Sequence, residues 1–103
     1  METGEYEAAV AAFTRECWSH YTEAIRLIGY DATAWAAMIH AHGAVAAAQR
    51  LVLGPDTSGL FRLKQANLLR LTVEQSVLNH PHLFDQAVLD RAEFRLRELR
   101  KEP

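Results

Sequence analysis

Cysteine is nearly missing from this chain: one residue, Cys17, stands among 103. A lone thiol has no partner for an internal disulfide, which suits a reducing compartment. Proline is also scarce, at three residues, so the sequence has few points that force a helix to stop. No apolar run reaches the roughly 18 residues that a membrane-spanning helix needs. The start, Met1-Glu-Thr-Gly-Glu-Tyr-Glu7, is acidic and lacks the positive segment of a secretory signal, so a cytoplasmic location is expected. Period-two alternation of apolar and polar residues is absent, as are internal repeats, and with them the usual signs of β-structure. CxxC, HExxH, a phosphate-binding glycine loop and a nucleophile elbow are all missing.

Positive charge is not in excess either. The net charge is −2, with six acids against two arginines in residues 1–49 (net −4) and nine bases against seven acids after them (net +2). A dedicated nucleic-acid binder usually shows a basic surplus or stripe, so this balance counts against that class. What is abundant is apolar surface: half the residues are hydrophobic, enough for one modest core in a single domain over 1–103.

The periodicity predicts an all-α fold, a compact bundle of five to six helices behind a long N-terminal one. Tyr6, Val10, Phe13, Cys17, Tyr21, Ala24, Ile25 and Ile28 recur at spacings of three and four, a broad stripe on a helix over 5–28 that Gly29 ends. Asp31 is the expected N-cap of a short helix carrying Trp35, Met38 and Ile39. Gly43 breaks it from an alanine-rich helix over 44–53, and Gly54-Pro55-Asp56 reads as a turn. Thr57 or Ser58 then caps a helix with Leu60, Phe61 and Leu63, and Asn67 takes a left-handed backbone. Thr72 and Gln75 read as a capping box. Asn79-His-Pro-His82 closes that helix, and Asp85 caps a last one over 86–101. Its inner face is Val88, Leu89, Ala92, Leu96 and Leu99, while Glu93 and Arg97 pair outside it.

Several of these segments have a familiar form. Thr33-x-Trp35-x-x-Met38, Gly43, Ala48-x-x-Leu51, Thr57-Ser-Gly-Leu-Phe-Arg-Leu63, Leu71-Thr-Val-Glu74, Leu83-Phe84-Asp85 and Ala92-x-x-Arg95-Leu96 stand in that order. Together they resemble a family of short, uncharacterised bacterial all-helical proteins, over residues 29–96. The resemblance implies an all-helical fold and no particular activity. Ala44 stands where a second glycine is frequent in that family, Leu68 where a basic residue is, and Arg70 where an aspartate is. Leu68 and Leu69 therefore make a more apolar corner than the family pattern has.

Chemistry finds little to stand on. Cys17 and His20 share a helix face, and His80 and His82 flank a proline, but these are loose pairs, and a closed zinc site needs four converging ligands. His40 and His42 lie about 200° apart on a helix and do not chelate one ion. No metal and no cofactor is expected. Cys17 has no evident cationic neighbour to activate it, and no catalytic residue is assigned. Glu74, in a first helical turn, reads as a complement to the helix dipole. The run Arg91, Arg95, Arg97, Arg100 and Lys101 reads as a solvated face interleaved with Asp90, Glu93, Glu98 and Glu102.

The expected role is non-enzymatic: a small protein acting through protein–protein interaction with another protein or with a second copy of itself as a homodimer. Trp18, Leu68, Leu69 and Phe94 are the candidate contact residues, each apolar and off the core stripe. The alternative is a DNA-binding regulator in which residues 44–65 form a helix-turn-helix-like segment. Ser58, Arg62, Lys64 and Gln65 would then face DNA. The long linker Val52-Leu-Gly-Pro-Asp-Thr57 weighs against it.

Overall fold

The chain is seen in a computed structural model that describes residues 2–101. Six α-helices and two 3₁₀ turns make up its described secondary structure: α1 (Thr3–Ile28), α2 (Thr33–His42), α3 (Ala44–Leu53), α4 (Ser58–Gln65), α5 (Val73–Asn79) and α6 (Gln86–Arg100), with 3₁₀ turns at Leu69–Leu71 and Pro81–Leu83. The all-α expectation holds, long first helix included. At about 1.5 Å per residue, the 26 residues of α1 span nearly the whole 43 Å long axis of the molecule. Residues 2–8, the start of α1 included, are exposed, with Tyr6 at 47%. Phe13, Cys17 and Ala24 are the buried part of its stripe, while Ile25 lies 38% exposed at the other end. None of the helices among the described residues is long and apolar enough to cross a membrane.

Breaks fall where backbone chemistry demands. Gly29 is left-handed and gives its N–H to the Ile25 carbonyl, closing α1. Gly43, with φ 82° and ψ 157°, lets α3 leave directly from α2, in a region that a β-carbon disfavours. The alanines that follow (Ala44, Ala47 and Ala48) are buried, and their small size lets α3 sit close to α1 and α2. Asn67 takes the left-handed backbone foreseen for it, at φ 60°.

Caps differ from expectation in three places. Asp31 does not cap α2, whose N-cap is Ala32; its carboxylate accepts the Tyr21 hydroxyl instead, at 2.5 Å. Neither Thr57 nor Ser58 caps α4 through its side chain; Asp56 accepts both the N–H and the O–H of Ser58, at 2.9 and 2.7 Å. Thr72 accepts the Gln75 N–H as a capping box requires, but the Gln75 amide turns forward to Asn79 rather than back. Asp85 caps α6 as expected, at 3.2 Å from the Val88 nitrogen.

The core is three apolar clusters rather than one. The largest joins α1, α3, α5 and α6 around Phe13, Ala47, Val52, Val77 and Val88. A second gathers Ala24, Leu63 and Leu71 with Ile28, Tyr30 and Leu68; a third joins Leu60, Leu96 and Leu99 with Leu69.

One arginine of the supposedly solvated face is inside. Arg95 is 7% exposed and meets Glu74, 3% exposed, at 3.0 Å. The same guanidinium donates to the Leu51 carbonyl at 3.2 Å and to that of Gly54. It thus closes the C-terminal end of α3 with the donors that the helix end lacks, while Glu74 neutralises it. Glu74 therefore serves α6 and α3 by pairing, a larger role than complementing its own helix dipole. Arg91, Arg97, Arg100 and Lys101 are exposed as expected, Glu93 and Arg97 pair at 3.3 Å, and Glu102 lies outside the described residues.

Candidate binding cavity

Where the three clusters meet they do not close. A cavity of about 280 Å³ lies between α1, the α1–α2 loop, α2, α4 and the start of α5. Cys17, Trp35, Met38 and Val73 face it from the first cluster, Ala24, Leu63, Leu71 and Tyr30 from the second, and Leu60 from the third. Its lining also includes the exposed residues Asp31, Thr33, Ala34, Asp56 and Ser58, which form a mouth to solvent. Sealed and empty, a cavity of this size would cost about 7 kcal/mol at roughly 24 cal/mol per Å³. That is as large as the whole stability of a small domain, about 5–15 kcal/mol. An open mouth reduces the cost by admitting water, but water against apolar walls is what a ligand displaces favourably.

Two close approaches set the shape of the mouth. The Tyr30 hydroxyl lies against Gly59, where a β-carbon would stand 2.7 Å from it, so only glycine leaves the ring its place. On the Tyr30 ring sits the Arg62 guanidinium, 5.1 Å from the centroid, with a hydrogen bond to the Ile28 carbonyl. Burial, aided by the Asp56 charge, pushes the Tyr30 phenol above its ordinary range. Asp56 itself is held low by the Ser58 N–H and hydroxyl, so it carries its charge at neutral pH.

Between α1 and α5 the polar groups are already paired. His20 Nδ1 is 3.1 Å from Ser76 Oγ, and burial lowers the imidazole below its ordinary 6.5, so it is neutral near pH 7. Glu16, one turn earlier, accepts from Asn79 at 3.1 Å and from His80 Nε2 at 3.0 Å. Burial alone would raise Glu16, but hydrogen bonds from His80, Asn79 and Ser76 outweigh it and leave the carboxyl below its ordinary 4.5. Cys17 is pushed up to about 12 by burial and by the Glu16 charge. Burial thus keeps Cys17 as a thiol at physiological pH. Among the described residues no three of His, Cys, Asp and Glu converge as metal ligands would; His80 and His82 stand with ring centroids 6.5 Å apart.

The candidate contact residues are scattered. Trp18 is half-buried against Tyr21 and His40, with centroids at 5.5 and 5.0 Å. Leu68 turns into the second cluster and Leu69 into the third. Phe94 alone of the four is exposed, at 50%. The DNA candidates sit on α4: Ser58 at the cavity mouth, Arg62 on Tyr30, Lys64 half-buried and Gln65 exposed. Sequence reasoning missed the cavity. Its one trace was that Trp35, Met38, Ser58, Gly59 and Leu63, all quoted for the resemblance, line it. Comparison with family models, with curated protein sequences and with solved structures gives no match.

Proposed function

We propose that this is a non-catalytic binding protein and that the central cavity is its binding site. The observation that carries this reading is the meeting of three separate apolar clusters around an open, mainly apolar space of about 280 Å³. Pockets that hold small ligands have this make-up: apolar walls with a few polar groups at fixed places. The satisfied Glu74–Arg95 pair, the neutral His20 and the un-ionised Cys17 offer support to the walls rather than reacting groups. The test is a thermal-shift screen of compact apolar fragments against the purified chain. The reading expects saturable increases in melting temperature for fragments of up to about a dozen non-hydrogen atoms. A flat response across the set would contradict it.

Protein–protein contact is the second reading, and the exposure of Phe94 supports it, together with Leu53 at 51% and Phe61 at 47%. If Phe94 anchors a contact, Phe94→Asp abolishes any self-association seen by sedimentation; unchanged association removes Phe94 from the proposal. Duplex-DNA binding through Ser58, Arg62, Lys64 and Gln65 stands behind both, and a salt-dependent gel shift tests it.

A further inference from the structure

We propose that the cavity selects a compact apolar amine, with its apolar body among Trp35, Met38, Leu60 and Leu63 and its ammonium at the mouth beside Asp31 and Asp56. The proposal rests on the reading of the cavity as a binding site and adds the charge of what enters.

Size comes first. An apolar protein cavity of about 150 Å³ accepts benzene, so one of about 280 Å³ takes a ring with a short side arm. Charge comes next. Among the described residues, the cavity lining contains no lysine or arginine, and its acids are Asp31, Asp56 and Glu74. Glu74 is neutralised by Arg95 and sits within the wall. Asp31 and Asp56 are at the exposed mouth, and neither forms an ion pair among the described residues. Among the described residues the Asp31 carboxylate accepts from the Tyr21 hydroxyl, and the Asp56 carboxylate from Ser58. Each carboxylate therefore keeps acceptor capacity that a cationic donor fits.

Arg95 acts on Asp56 through its charge, but the nearby cations have their own partners. Arg62 is drawn onto the Tyr30 ring and the Ile28 carbonyl, and Arg95 is held by Glu74, Leu51 and Gly54. Rings of Tyr21, Tyr30 and Trp35 also line the space, and aromatic faces attract cations. Arg62 on Tyr30 is an instance of that attraction within the chain itself. A carboxylate of the same shape would meet two negative groups at the entrance, while the cation beside Tyr30, Arg62, is engaged with that ring and the Ile28 carbonyl.

The experiment uses the full chain labelled with ¹³C at its methionine methyls, titrated with 2-phenylethylamine, 2-phenylethanol and 3-phenylpropionate. Met38 lines the cavity, so its methyl resonance reports occupancy. The expected result is a saturable Met38 shift with the amine, about tenfold tighter than with the alcohol and tighter still than with the acid. Asp31→Asn with Asp56→Asn should remove the advantage of the amine and leave the alcohol unchanged; asparagine keeps an acceptor oxygen for Tyr21 and for Ser58, so folding is little disturbed. Equal binding of amine and alcohol, or no effect of the two substitutions, overturns the amine proposal and leaves the cavity reading standing. No Met38 shift with any of the three overturns both.

Discussion

Arg95 shows how much one side chain holds here. Its guanidinium is almost wholly buried, and three partners depend on it: Glu74 on α5, and Leu51 and Gly54 at the end of α3. A buried pair adds little net stability over an apolar replacement, yet removing one partner strands the other charge. Glu74→Ala should therefore cost about 3–5 kcal/mol in urea denaturation, and Glu74→Met with Arg95→Met much less than the sum of the singles. Additive costs would contradict the pairing. Acid sensitivity belongs to the same scale. His20 lies below its ordinary 6.5, so the unfolded chain takes up the proton first and stability declines as pH falls past that value. Glu16 lies below its ordinary 4.5, so its contribution is full above that value and is lost as pH falls through the folded one. The denaturation midpoint should drop as pH falls below 6.5, and drop again as it falls below 4.5; His20→Gln should remove the first decline and spare the second. A midpoint flat over the first interval would contradict the assignment to His20. Neither Arg95 nor Glu74 was legible as buried in the sequence. Charge reads as solvent-facing, and their partnership spans 21 residues and two helices.

At the scale of elements, local chemistry was readable and long-range reach was not. Periodicity, with Gly29, Gly43 and Gly54 as punctuation, marks α1, α2 and α3 to within a few residues; at Gly29 and Gly43 the break depends on the positive φ of the glycine itself. Thr72 and Asp85 cap where expected, since their partners lie three residues on. Asp85→Ala should cost about 1 kcal/mol, checked by thermal denaturation. Asp31 and Asp56 were harder to place. Asp31 joins a tyrosine on another helix, and Asp56 reaches over the residue expected to cap, so each bonds outside the local pattern. Gly59 belongs here as well: its need for a bare backbone arises from Tyr30, far off in sequence. Gly59→Ala should push the Tyr30 ring aside and lower the melting temperature, and Tyr30→Phe in the same chain should restore part of the loss by removing the colliding hydroxyl. No rescue by Tyr30→Phe would put the clash elsewhere.

For the whole molecule the decisive feature is the space between the clusters. The sequence supplies the apolar residues, but whether they close on one another depends on how α2 and α4 stand off α1, and no periodicity encodes that. Cys17, Ala24 and Met38 each fit a core stripe as well as a cavity wall, so a reading by faces assigns them to the core. Ala24 faces the cavity. In a filled core, enlarging a residue that is 4% exposed costs about 1–3 kcal/mol through strain. In a cavity wall, the added methylenes gain about 0.8 kcal/mol each as they fill the space. The measurement that separates these cases is the stability of Ala24→Leu by urea denaturation, set beside the parent chain. The account predicts a gain of about 1–2 kcal/mol; a loss of about 1–3 kcal/mol would mean that the core is closed and the cavity is not there to bind anything.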